Sequence, residues 1–308
     1  GAGTGNDVQA ALRATYSKVV SVDIDPDIIR LGQRLHPEQP YDDDRTVPII
    51  NDARAFFEQY QGAPFDAVVF GLLDSHAMFT SLSSLRLDNY VYTEQGIRAA
   101  FKQVAPGGHL SLSFSVFAGE WMADRIRWTV ARATGRDPAV ICHEMHYGCT
   151  FIVPAAGTNL HLERVPARFQ RLQLSAPLAS VRTTSDDWPF LYIRPDVFPW
   201  GYLLVLLGVL GLALISTPLA FGRELIKGRF DPVLFFMGAG FLLIETRGVT
   251  SLSLLFGSTW MVNSAIFAGI LIMVLLANLA VEHFGLQRIT PWVVALGFAL
   301  SLLYALEP

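Results

Sequence analysis

A glycine-rich turn and two acidic side chains further along the chain carry the first sign of chemistry. The turn is "GAGTGND", with Gly1, Gly3 and Gly5, and the acids are Asp23 and Asp52. Glycines let a backbone turn sharply and approach a ligand closely. Asp23 ends the β-rich run "KVVSVDID", where a carboxylate is placed to accept hydrogen bonds from ribose hydroxyls. Asp52 opens the helical stretch of "NDARAFF", where a carboxylate reaches an adenine amino group. Each has a plainer reading, since glycine turns are common and an Asp before a helix is more often a cap. Their spacing joins them, with 18 residues from Gly5 to Asp23 and 29 from Asp23 to Asp52.

Two further clusters invite chemistry. In "GLLDSH", His76 stands beside Asp74 as a candidate acid–base pair. In "CHEMHYGC", Cys142, His143, His146 and Cys149 are four potential metal ligands. They are too compressed to enclose a tetrahedral ion, and strand alternation sends neighbours to opposite faces, so no metal is expected.

The elements that must position these residues alternate. After the turn, "DVQAALRATY" has helical spacing, with Val8, Ala11 and Leu12 on one face. Strand-like runs are "KVVSVDID", "VPIINDA", "FDAVVFGLL", "HLSLSFSV" and "YGCTFIVPA". Helical runs between them are "PDIIRLGQRL", "RAFFEQY", "TEQGIRAAFKQV" and "ADRIRWTVARATG". Alternation of this kind predicts a Rossmann-like α/β domain with a parallel sheet. Because the glycine turn normally follows a strand, the expectation is that the first strand is missing and that the sequence is an N-terminal truncation.

Composition divides the chain near residue 197. The first part holds 18 basic and 22 acidic side chains, and the rest only five of each, so the second part has a different solvent. No basic stripe appears, which argues against nucleic acid as a partner. Two cysteines are too few to staple a domain of this size and suit a reducing compartment. An uncharged run at 200–221, long enough to cross a bilayer's hydrocarbon core, and apolar runs at 232–256, 260–281 and 291–306 predict a bundle of about four transmembrane helices, the fourth cut short at Pro308. Trp188, Tyr192, Trp200 and Tyr202 suit an interfacial belt. Glu245 and Arg247 lie mid-span, where charges face protein or water; one reading is a helix broken near Gly248, the other satisfaction by neighbouring helices. Arg223, Lys227 and Arg229 after the first span favour a cytoplasmic loop, which sets the soluble part outside. A cytosolic cofactor supply argues the other way, and the expectation adopted is a cytoplasmic soluble domain on a multi-pass protein of a bacterial inner membrane.

At "GAGTGN", "VDIDPDII", "NDARAFF", "FDAVVFG", "VYTEQGIRAAFKQVAPGG" and "LSLSF", the chain resembles the Rossmann-like domain of spermidine synthases, the polyamine aminopropyltransferases. "DDWPFLY" ahead of apolar runs resembles the membrane-bound bacterial members of that family. The core motifs are shared with class I S-adenosylmethionine methyltransferases. The likeness spans about residues 1–195 and implies three parts: a nucleoside-binding domain over 1–155, a connecting segment over 156–199 and a transmembrane domain over 200–308.

What the resemblance implies for the site is specific. Gly1, Gly3 and Gly5 would cradle the methionine-derived portion of S-adenosylmethionine or its decarboxylated form; Asp23 would hold the ribose and Asp52 the adenine. The family's "D-S-x-D-P", whose first Asp deprotonates the attacking amine, is matched here by "GLLDSH". Gly71 stands at the first Asp, Asp74 at the second and Ser75 at the proline, leaving Asp74 as the surviving catalytic carboxylate. His76, Arg86, Asp88, Tyr90 and Tyr92 would line an acceptor pocket, and Asp186, Asp187 and Trp188 suit a polyamine cation. The implied activity is a transferase without metal, passing an aminopropyl group to a small-molecule acceptor such as a polyamine, at a lipid bilayer. Methyl transfer is the alternative, and a nucleoside-regulated membrane sensor or transporter a third. Self-association into a homo-oligomer is left open.

Overall fold

The computed structural model describes residues 1–72, 87–116, 118–143, 148–160, 165, 169–171, 181–194, 198, 200–221, 232–257, 259–284 and 290–305. The chain forms two compact units, Gly1–Thr259 and Trp260–Pro308.

In the first unit the glycine turn leads into α1 (Asn6–Arg13), β1 (Val19–Asp23), α2 (Pro26–Leu35), β2 (Thr46–Ile50), α3 (Ala53–Gln59) and β3 (Phe65–Phe70). A 3₁₀ turn (Leu87–Tyr92) precedes α4 (Glu94–Lys102), β4 (Val104–Ser115), α5 (Glu120–Thr134), β5 (Ala139–His143), β6 (Gly148–Pro154) and β7 (Phe169–Arg171). Two apolar helices follow, α6 (Trp200–Phe221) and α7 (Pro232–Phe256). Side-chain caps set several helix starts. Asp25 accepts from the Asp27 amide with Pro26 in the first turn, Asp52 from Ala55, and Thr93 from Gly96.

The expected single parallel sheet is not what forms. Strands β1 and β2 pair in parallel as one sheet, and five strands in the order β3-β4-β6-β5-β7 make another. Only β3 and β4 are parallel in the second, because β5 and β6 form an antiparallel hairpin beside β4, with β7 antiparallel at the far edge. The result is an α/β fold with a mixed sheet. The sequence reading missed β5 and β7, which are short. Between the two sheets runs a groove of about 370 Å³ lined by Val20, Val22, Ala67 and Val69 among others, beside the glycine turn.

The core sits on the larger sheet. On β4 every second residue turns inward, so Leu110, Leu112 and Phe114 are fully buried. Ile97 and Ala100 of α4 and Met122, Ile126 and Val130 of α5 repeat at helical spacing and pack on them. Each large side chain so buried contributes about 1.5–3 kcal/mol.

Cys142 and Cys149 face each other across the β5–β6 hairpin and are joined in a disulfide. This corrects the expectation that the two cysteines mark a reducing compartment. The two cysteines are seven residues apart in the chain, and the antiparallel register of the hairpin sets them opposite each other. His143 and His146 of the same motif lie outside the described side chains.

Among the described residues, three helices are long and apolar enough to cross a membrane, over Leu203–Ala220, Phe235–Phe256 and Met261–His283. In the second unit, α8 (Trp260–Phe284) is the third of these, and α9 (Thr290–Ala305) has 16 residues. Over its described residues α9 rises about 24 Å, less than a ~30 Å hydrocarbon core, where the sequence reading expected a fourth span cut short at Pro308. Helix α7 runs unbroken through Glu245, Arg247 and Gly248, so the broken-helix reading does not hold.

Candidate functional site

The glycine turn is fixed by its own geometry. Gly5 has φ of +104°, and a Cβ there would lie 2.6 Å from Pro40 Cγ and 3.1 Å from the Tyr41 ring. Any side chain at Gly5 is therefore both strained and colliding. The Tyr41 hydroxyl donates to the Gly3 carbonyl at 2.6 Å. Burial, and then the carboxylates of Asp23 and Asp7, push that hydroxyl up to about 12.

Asp23 is buried at the end of β1 and ties the turn to the strand. Its Oδ2 accepts from the Gly3 amide at 2.8 Å and its Oδ1 from the Asp25 amide at 3.0 Å. Each oxygen of a carboxylate accepts more than one hydrogen bond, so the pair retains capacity for two vicinal hydroxyls. Parallel register sets Asp23 opposite Ile50, and the Asn51 amide bonds to the Asp23 carbonyl at 2.9 Å. Asp52 therefore leaves the same end of the small sheet as Asp23, the carboxyl end at which ligands of open α/β sheets bind. It is buried, and its Oδ1 accepts from the Ala55 amide at 3.0 Å. The capping role weighed against ligand binding at Asp52 is thus present.

A third acid, Asp7 of α1, was not singled out in the sequence. A Cβ built on the buried Gly71, just past β3, would lie 2.3 Å from Asp7 Oδ2 and 3.5 Å from the Gly1 carbonyl. The bare glycine leaves the space that the Asp7 carboxylate fills. Asp7 and Gly71 both line the groove between the sheets.

The DDW segment is built into the fold by two buried arginines. Arg54 of α3 donates to both oxygens of Asp186, at 2.9 and 2.8 Å, and to the Tyr90 carbonyl and Thr93 Oγ1 at 3.1 Å. Thr93 Oγ1 also donates to Asp186 at 2.7 Å. Arg125 of α5 donates to the carbonyls of Arg182, Leu191 and Ile193, and lies over the rings of Trp121 and Trp188. Burial lowers its guanidinium to about 10. Neither arginine was nominated from sequence, since Arg54 and Asp186 are 132 residues apart.

The acceptor candidates separate. Asp187 is exposed, whereas Asp186 is engaged with Arg54. Tyr92 is buried in the core, with its ring 5.0 Å from that of Phe114 and edge-on to it, so it does not line a pocket as expected. Tyr90 is buried too, and its hydroxyl bonds to the Thr250 side chain; burial, then Asp186, raises its pKa. Asp74, His76 and Arg86, with the side chain of Asp88, lie outside the described residues.

No protein-family model matches the chain. A stretch of 75 residues is 33% identical to Polyamine aminopropyltransferase 2 of Caldanaerobacter subterraneus subsp. tengcongensis (strain DSM 15242 / JCM 11007 / NBRC 100824 / MB4). The match takes in 24% of this chain and 25% of that protein, so the chain spans about a quarter of the length of the curated relative. Among solved structures, a spermidine synthase in complex with the transition state analogue AdoDATO aligns at a TM-score of 0.42 with 13% identity, over 66% of each chain. The spermidine synthase from Thermotoga maritima aligns at 0.41 with 11% identity over 63% of each. An rRNA methylase from Streptococcus thermophilus aligns at 0.32 with 16% identity, over 51% of this chain and 83% of its own.

Proposed function

We propose that the chain is a membrane-anchored transferase acting on an S-adenosyl nucleoside, with aminopropyl transfer from decarboxylated S-adenosylmethionine to a polyamine as its reaction. The observation that carries this reading is Asp23, locked to the Gly3 amide at 2.8 Å with acceptor capacity left for a ribose diol. The 75-residue likeness to an aminopropyltransferase supports the same class. The residues fit the nucleoside: the turn at Gly1, Gly3 and Gly5 for the amino-acid-derived end, Asp23 for the ribose and Asp52 for the adenine. When bound, the nucleoside supplies a sulfonium whose attached carbon is open to displacement.

The protein's part is to hold that carbon and deprotonate the acceptor. An amine acceptor is cationic near neutral pH and attacks only after losing a proton to a base within hydrogen-bond reach. Gly71 offers no carboxylate, and among the described residues the Asp7 carboxylate lies against it. Asp7 joins Asp74 as a candidate base, with His76 beside Asp74. The proton passes to the carboxylate, the amine nitrogen bonds to the sulfonium carbon, and the carbon–sulfur bond breaks with its electron pair left on sulfur. Asp187, which is exposed, remains the acceptor-side candidate, whereas Tyr90, buried and bonded to Thr250, and Tyr92, held in the core, do not. The helices α6, α7 and α8 would anchor the protein in a bilayer.

Methyl transfer from S-adenosylmethionine is the second reading, favoured by Gly71, because an acceptor that arrives already deprotonated, such as a phenolate or a thiolate, does not need a base at that strand end. Calorimetric titration of the full-length protein in detergent with S-adenosylhomocysteine tests the shared premise. Asp23→Asn should weaken binding at least tenfold; equal affinity of variant and wild type would remove Asp23 from the site.

A further inference from the structure

We propose that the C-terminal end of α7 is a wall of the nucleoside site, docked on the Asp52 turn through Gly257, so that binding depends on a membrane-length helix. This rests on the reading of Asp52 as a nucleoside residue. Gly257 follows the last turn of α7, its amide bonding to the Ser253 carbonyl at 2.9 Å. It has φ of +93°, and a Cβ on it would lie 2.7 Å from Asp52 Cβ and 3.4 Å from Ala55 Cβ. Glycine is thus required twice over, once by the backbone and once by the approach. At the other end of α3, Gln59 Nε2 donates to the Leu255 carbonyl at 3.0 Å, satisfying one of the acceptors that every helix C-terminus leaves open. A turn further back along α7, Thr250 bonds to the Tyr90 hydroxyl and Ser253 is buried. The short helix that presents Asp52 is therefore pinned at its first and last turns by one apolar helix. Linkage then requires that nucleoside binding and α7 docking strengthen each other by the same factor.

The test uses the full chain in detergent micelles with S-adenosylhomocysteine as titrant. Gly257→Ala should weaken its affinity at least tenfold, while Gly201→Ala, whose Cβ meets nothing within 4 Å, should leave it unchanged. Gln59→Ala, a milder loosening of the same contact, should weaken it two- to fivefold and serves if Gly257→Ala does not fold. In the wild type, titrant should slow hydrogen exchange at residues 253–257. Equal affinity in both docking variants overturns the proposal, as does tighter binding, which would make α7 a competitor. A wild-type chain that binds no nucleoside overturns the transferase reading instead, and this inference with it.

The disulfide carries a second inference independently. We infer that the sheet-bearing part of the first unit faces an oxidising compartment, across the membrane from the connection between α6 and α7. Disulfides persist in secreted, periplasmic and surface settings and are rare in the cytosol. Helix α6 begins just past the sheet domain and α7 returns its C-terminal end to it, at Gln59 and Asp52. If each crosses once, their far ends, joined by residues 222–231, lie on the opposite side. That connection carries Arg223, Lys227 and Arg229, and positive charge in short loops marks the cytoplasmic face. Both arguments reverse the expectation of a cytoplasmic soluble domain, and the nucleoside would be drawn from the outer side.

Spheroplasts expressing the full chain supply the test. After acid quenching and denaturation, Cys142 and Cys149 should take a maleimide only once reduced. A cysteine at exposed Gln61 (Gln61→Cys) should label with an impermeant maleimide in intact spheroplasts, and one at Gly228 (Gly228→Cys) only after lysis. Free native thiols in the quenched sample, or the reverse labelling order, overturn the inference.

Discussion

Two adjacent aspartates, Asp186 and Asp187, should behave oppositely when removed, and the difference is large enough to measure. Asp186 meets Arg54 through two hydrogen bonds of 2.9 and 2.8 Å, and Arg54 is 7% exposed. Truncation to Asp186→Ala leaves a guanidinium buried without its counter-charge, a change that costs about 3–5 kcal/mol. Thr93, 0% exposed, loses its acceptor at 2.7 Å in the same step. Asp187 is exposed, and Asp187→Ala should stay within about 0.5 kcal/mol. For a soluble part of this size, 3–5 kcal/mol corresponds to a fall in Tm of about 6–20 °C. Scanning calorimetry in detergent, with and without titrant nucleoside, reads the shift. A double variant, Arg54→Met with Asp186→Leu, should recover much of the loss, because apolar groups that replace a buried pair of charges are often tolerated. A shift below 2 °C for Asp186→Ala, or equal shifts for the two aspartates, would refute the claim that Asp186 holds the DDW segment in place.

Three other outcomes are expected. Gly5→Ala forces a side chain into Pro40 Cγ at φ of +104°, and should cost about 1–3 kcal/mol of stability together with measurable nucleoside affinity, read by calorimetric titration. Asp7→Asn should lower kcat about 10²-fold or more while nucleoside affinity stays within threefold, as loss of a proton acceptor requires; unchanged kcat in a competent enzyme would return the role to Asp74. Tyr41, whose hydroxyl pKa is raised to about 12, contributes stability that is fully present below pH 10 and is lost as pH rises through 12. Absorbance at 295 nm should show late-titrating tyrosine signal that falls by one tyrosine's worth in Tyr41→Phe.

Much of the fold was legible because its signals are local. The capping acid Asp52 and the alternation of Leu110, Leu112 and Phe114 act within a few residues of themselves. So did the glycine turn and Asp23, which the fold joins by the hydrogen bond from the Gly3 amide. The mixed sheet was not legible, because a strand's direction depends on which neighbour it pairs with. Tyr92 was misread for a related reason: a tyrosine in a polar stretch looks exposed until Phe70 and Phe114 close around it. Asp7, Arg54 and Gly257 depend on contacts between residues far apart in the chain, for which no spacing exists to read. The separation of charge near residue 197 did mark the apolar helices, and the run read over 291–306 coincides within one residue with α9 over its described length.

The central claim is that this chain moves a group from an S-adenosyl nucleoside to an amine. The most direct measurement supplies the full-length protein in detergent with putrescine and, in separate reactions, decarboxylated S-adenosylmethionine or S-adenosylmethionine, and identifies the nucleoside product by mass spectrometry. Methylthioadenosine with spermidine, formed from the decarboxylated substrate and abolished by Asp23→Asn, is the expected result. S-adenosylhomocysteine would contradict aminopropyl transfer and leave a methyltransferase, and absence of both products would contradict the transferase account itself.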